Sequence, residues 1–442
     1  MKSFLLTIAA LFCSTISNAQ NNALAIDDFV TTVAVIGTDA TINVAVTYEG
    51  EETVKDFDYT ISSPAFEDET FHYILKEPLY KSRIPVFLNL PFKSGTIARM
   101  EDASITITKV NGVENEIGND KNVSKGKLIS IIADSPHKVV MEEFTATWCA
   151  NCPRGIVAME KLQRLYPDNF IGIAIHCDDV MSANGFNSLL KQVEAIPFCF
   201  VNRRYKCDPY WGYTYGGRFA TKELFDVCLN QPTEAALQIR SAIWNEDSTS
   251  ISITTDATFQ YDNENAPYAL GFVLTEDYVS GPGSKWNQAN NLMTDLEFML
   301  DEDFHKFYYG DSYIKNMEYM HVAVGGWKTG NGYEGSIQSP VVAGETQTFN
   351  KTLDISAVKQ IQNKKNLKVI ALLIDTERDR IVNADQTLIS EEDVAAILPK
   401  TTDSTRKVES IYGIDGSRRN SLSRGVNIVR HSDGTTKTIL KK

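Results

Sequence analysis

Past its first residues the chain has no apolar run approaching the ~18 residues that a membrane-crossing helix needs, and none of the repeated alternating strands of about ten residues that build a transmembrane barrel. Membrane association is therefore expected to be peripheral at most. Basic charge is scarce as well: the formal net charge is −14, and Lys and Arg are not gathered on any segment before the tail. Nucleic acid is not an expected partner. Apart from Cys13 near the start, cysteine is missing from both flanks, since the other six of seven fall between 149 and 228. Thiol chemistry is confined to one stretch. That stretch lacks the second close pair or the His spacing usual in structural zinc sites, which argues against a site built from Cys149, Cys152 and two others; no cofactor is expected.

What is present begins with an export signal. Residues 1–19 carry Lys2, an apolar core from Phe4 to Phe12, then small polar residues with Ser17 and Ala19 placed for cleavage before Gln20. Phe12 stands where a lipidated Cys13 would need a small neighbour, so plain cleavage is expected. The 442 residues are about three times a typical domain, and 43% hydrophobic content supports real cores. Residues 20–135 alternate in short runs (Val33 to Ile36, Ile42 to Tyr48, Phe57 to Ile61, Ile105 to Ile107), the pattern of an immunoglobulin-like β domain that serves as spacer or interaction module. Residues 232–390 return to β pattern, interrupted by an insertion from Gly281 to Tyr309.

The chemistry lies at Met141 to Pro153, MEEFTATWCANCP: an apolar β-prone run, Trp148, then Cys149 and Cys152 at C-x-x-C spacing, then a helical pattern. Strand, dithiol and helix follow one another. Two cysteines so spaced lie about one helical turn apart and can close a short disulfide across a helix N-terminus. The dipole and unpaired N–H groups there stabilise a thiolate, which makes Cys149 the candidate nucleophile and Cys152 the resolving thiol. The helix carries Ile156, Met159, Leu162 and Leu165 at spacings of three and stops at Tyr166-Pro167-Asp168, with Pro153 in its first turn.

These residues resemble the thioredoxin-like fold over roughly 137 to 230. Trp148 precedes the first cysteine as in that family, Glu143 stands where the family keeps a buried carboxylate able to accept the resolving thiol's proton, and Ile196-Pro197 resembles its cis-proline segment. The resemblance implies disulfide exchange with protein substrates, with Cys149, Cys152, Glu143, Trp148 and Pro197 as site residues. After Val201 it weakens, because Arg203 to Gly217 (RRYKCDPYWGYTYGG) is an aromatic, Gly-rich insertion. Cys207 and Cys228 could pair there, while Cys177 and Cys199 suit buried free thiols; His176 suits a strand end better than a ligand or base.

The expected fold class is multidomain α/β plus all-β, a thioredoxin-like α/β domain at 136–231 between two β-sandwich-like domains. That arrangement, with ATWCANCPRG, GFVLTEDYV, HVAVGG and NLKVIALLID, resembles the outer-membrane protein-related family named for a twenty-eight kilodalton member. Ser390 to Asp393 suggests a capping box opening a short helix to Leu398, followed by a linker within 391–408. Residues 409–442 are similar in part to type IX secretion sorting signals, and a plain β-hairpin module competes with that reading. Two functions are carried forward: an exported thiol-disulfide oxidoreductase, and an envelope adhesion or binding protein whose Cys149–Cys152 disulfide is static.

Overall fold

The computed structural model describes residues 21–29, 31–64, 66–214 and 218–391, together with short segments between 408 and 441. The expected signal peptide and the expected helix to Leu398 lie outside the described residues. The described residues up to 391 form one compact unit and the C-terminal strands another.

The first part of the larger unit is two facing β-sheets. Leu24–Ile26, Asp39–Tyr48 and Val86–Lys93 make one; Thr31–Val35, Val123–Ile131, Met100–Val110, Val54–Ser63 and Phe66–Leu79 make the main path of the other. Burial alternates along Asp39–Tyr48 and Val54–Ser63, as a pleat with one covered face requires. Val44, Phe57, Tyr59, Ile105 and Leu90 fill the space between the sheets.

An eight-stranded mixed sheet forms the centre of the rest. Its strands are β1 (Val139–Thr145), β2 (Phe170–His176), β3 (Phe198–Val201), β4 (Tyr205–Cys207), β5 (Tyr268–Glu276), β6 (Val322–Trp327), β7 (Leu367–Asp375) and β8 (Arg380–Leu388), in the spatial order β4-β3-β1-β2-β6-β5-β7-β8. β2 runs parallel to β1 and β6, and the other neighbouring pairs are antiparallel.

This sheet corrects the expected fold class. The chain does not form a self-contained thioredoxin-like α/β domain between two sandwiches; among the described residues 47% are strand and 12% helix, and strands from both sides of residue 231 share one sheet and one core. The physical reason is burial. All nine residues of β5 are buried, as are eight of nine in β7. Strands covered on both faces need a layer on each side, which a two-sheet sandwich does not give them, so they continue the sheet that carries the dithiol. Helices α1 (Pro153–Leu165) and α2 (Thr221–Leu229) cover one face at the β1 end, and the three-stranded sheet Ala235–Trp244, Ser250–Phe259, Thr346–Asp354 covers the same face towards β7. On the opposite face Phe186 and Leu189 join Val140, Phe144, Ile173, Ile370, Leu372 and Ile374 in a second apolar layer.

In the C-terminal unit, Arg418–Arg419, Val408–Gly413, Gly425–His431 and Thr436–Lys441 form a four-stranded antiparallel sheet in that order.

Candidate functional site

β1 delivers the chain to the dithiol. Its side chains alternate between faces, so Met141 and Glu143 turn toward α1 while Val140, Glu142 and Phe144 turn away. Beyond Thr145 the chain turns through Ala146, Thr147 and Trp148, and Cys149 N–H donates to the Ala146 carbonyl at 3.2 Å. Cys152 caps α1, and Pro153 takes the first helical position, where a missing N–H leaves nothing unpaired. Cys149 and Cys152 are joined as a disulfide with Cα atoms 5.4 Å apart. Cys149 is 6% exposed and Cys152 fully buried, whereas Trp148 is 56% exposed. The Ile196-Pro197 peptide is cis, and Ile196 packs against Ala146, Cys149 and Cys152.

Glu143 is buried under the first turn of α1. A Cβ on Gly155 would stand 2.0 Å from Glu143 Oε1, so glycine at 155 is what leaves room for the carboxyl. Burial pushes the Glu143 carboxyl up to about 8, the Asp208 carboxylate adds in the same direction, and Thr145 opposes them. Glu143 and Thr145 also line a cavity of about 20 Å³ with His176, Glu160 and Tyr319, room for about one water molecule. On the other face Glu142 is buried too, paired bidentately with Arg203 at 2.7 and 2.8 Å.

His176 is a strand-end residue, and it does more than end the strand. Its Nδ1 lies 2.7 Å from Asp179 Oδ2, and the same oxygen accepts the Thr147 N–H at 2.8 Å. Burial works against the ionised Asp179, but the His176 contact and backbone N–H groups outweigh it and hold its carboxyl below the ordinary value. Trp148 Nε1 donates to the Cys177 carbonyl at 3.1 Å. Both contacts fix the residues leading into Cys149. Burial raises the Cys177 and Cys228 thiols to about 12, which suits packing rather than reaction.

Two local expectations change. The stretch after Val201 opens with a tight hairpin, Asn202 and Arg203 taking φ of 48° and 56°, and β4 pairs with β3 before the aromatic loop begins. In α1, Leu165 is 48% exposed, while Val157 and Ala158 are buried. A spacing of three turns the helix by about 300°, so each step drifts roughly 60° and the fourth residue leaves the buried face.

Sequence reasoning missed the residues that hold the dithiol loop from outside. Gln288, fully buried in the insertion, donates from Nε2 to the carbonyls of Cys149 at 2.9 Å and Ala146 at 3.3 Å. Ala289 N–H donates to Thr147 O at 2.7 Å, and Asn291 N–H to Ala150 O at 2.9 Å. Four carbonyls of the loop are thus satisfied by one segment far away along the chain, and no local pattern in the sequence signals it. The insertion also walls a cleft of about 430 Å³ beside Thr147 and Trp148, lined further by Asp178, Val180, Lys285 and Tyr313. Among the described residues no three His, Cys, Asp or Glu side chains converge as a metal site, and no helix is long and apolar enough to cross a membrane.

No family model matches the chain, and no curated protein matches it. Among solved structures it is similar to HBP35 of Porphyromonas gingivalis, at 17% identity over 70% of this chain and 98% of that one, TM-score 0.42. It is similar to a domain of the outer membrane lipoprotein Omp28 from the same organism, at 10% identity over 36% and 92%, TM-score 0.19. A CARDB domain from Pyrococcus furiosus matches at 14% identity over 26% and 99%, TM-score 0.19. Likeness at these scores carries no functional argument.

Proposed function

We propose that the chain is an exported envelope protein that exchanges its Cys149–Cys152 disulfide with protein substrates. The observation that carries this reading is a disulfide at the start of α1 with Ile196 packed on it and the Glu143 carboxyl buried under the same helical turn. In the reductive direction the Cys149 thiolate attacks one sulfur of a substrate disulfide, forming a mixed disulfide and releasing the other sulfur as a thiolate. Cys152 gives its proton to Glu143, in the minor fraction of molecules whose carboxyl is ionised at neutral pH and in most of them above about pH 8, and attacks the Cys149 sulfur, which frees the second substrate thiolate and restores the Cys149–Cys152 bond. Trp148 and the adjoining cleft offer an apolar wall for the substrate chain.

A second reading is favoured by different observations. The mostly β architecture, the near-complete burial of Cys149 and the four carbonyls held by the insertion suit an envelope binding protein whose disulfide is static. Cys152→Ser separates them. Exchange predicts partner proteins trapped on Cys149 as mixed disulfides and released by dithiothreitol, with reductase or isomerase activity in the wild type. No trapped partner and no activity leaves the binding reading.

A further inference from the structure

A second cysteine pair lies in the same sheet. Cys199 on β3 and Cys207 on β4 are directly opposite each other in the antiparallel register, and their Sγ atoms are 3.8 Å apart. Directly opposed residues point to the same face, within the Cα range that a disulfide spans. Cys199 is also the register partner of Glu143 on β1, so carboxyl and both thiols form one row beneath α1. Cys199 is fully buried and Cys207 is 4% exposed. The hairpin joining them is tight, the two lying eight positions apart in sequence.

We propose that Cys199 and Cys207 are a second redox couple, closing a cross-strand disulfide when the chain folds in an oxidising compartment. One thiolate attacks a sulfur of an external disulfide, such as oxidised glutathione, and one glutathione leaves as thiolate. The second cysteine loses its proton and attacks the protein sulfur of that mixed disulfide, releasing the other glutathione. Two protein thiols are oxidised and one external disulfide is reduced to two thiols. Burial raises the Cys199 thiol well above its ordinary range, with Cys207 adding to the effect, and closure while the hairpin is still uncovered needs no thiolate in the buried site. The bond staples β4 and the aromatic loop after it to β3, and it does not depend on turnover at Cys149.

The test uses the full chain exported to the periplasm of an expression host, denatured in N-ethylmaleimide without reductant and digested with trypsin. Cleavage after Arg203 and Lys206 separates the two cysteines into peptides 192–203 and 207–218. The expected product is these two peptides joined, two hydrogens lighter than their sum, with Cys177 and Cys228 alkylated. Alkylated Cys199 and Cys207, or Cys207 joined to Cys228, overturns the proposal. In a Cys149→Ser/Cys152→Ser background, oxidation should also raise Tm by a few degrees through the closed hairpin. An unchanged Tm there overturns it equally.

Discussion

Replacing Glu143 by Gln tests the buried carboxyl directly. Gln keeps the shape and cannot ionise. Glu143 has an ordinary value of 4.5 and a folded value of about 8. Between those values the folded state holds a proton that the unfolded state has released, so stability falls as pH rises from 4.5 and stops falling above about 8. At 1.36 kcal/mol per pH unit the full interval amounts to about 5 kcal/mol, of which about 3 is lost by pH 7. The variant lacks this slope. Urea unfolding of the oxidised wild type and Glu143→Gln at pH 4, 7 and 9 should show the difference between them shifting toward the variant by those amounts. A difference constant to within about 1 kcal/mol across that range would refute the assignment of a buried, protonated carboxyl.

Gly155→Ala should displace the Glu143 carboxyl and lower stability by about 1–3 kcal/mol, with recovery when Glu143→Ala is added; thermal denaturation of the single and double variants checks it. Arg203→Met should lower stability by about 3–5 kcal/mol by leaving Glu142 buried and unpaired, and Glu142→Gln in the same chain should return part of that loss in urea unfolding. Gln288→Ala should expose the dithiol loop to faster hydrogen exchange and faster reduction by dithiothreitol, at a cost of about 1–3 kcal/mol; unchanged protection at Thr147 to Ala150 would remove the holding role.

The parts of the site carried by local sequence were legible. The strand before the dithiol follows from its apolar β-prone run, and Pro153 inside the first helical turn follows from its missing N–H. The architecture was not, although one signal was present. GFVLTE and NLKVIALLID are continuous apolar runs rather than alternating ones, and such runs call for cover on both faces. Gln288 is different in kind. Its partners are set by where the insertion leaves the sheet, and a buried glutamine in a polar stretch looks the same in sequence as an exposed one.

The register shows why the insertion meets the dithiol at all. Glu143 on β1 pairs with Ala174 on β2, Ala174 with Val322 at the start of β6, and Val322 with Glu276 at the end of β5. One row therefore crosses four strands, and the chain between Glu276 and Val322 leaves and re-enters the sheet at the level of Glu143. β1 and β2 both end just beyond that row, and the hydrogen bonds from Gln288, Ala289 and Asn291 bring the insertion to the dithiol loop that follows β1. In open sheets with parallel strands, ligands bind at the carboxyl ends of those strands. The union of strands that overturns the separate-domain architecture is thus the same feature that brings Gln288, Lys285 and Tyr313 beside the dithiol loop. A dithiol domain standing alone would have had no such wall: the cleft beside Trp148 exists because the residues between β5 and β6 close its other side.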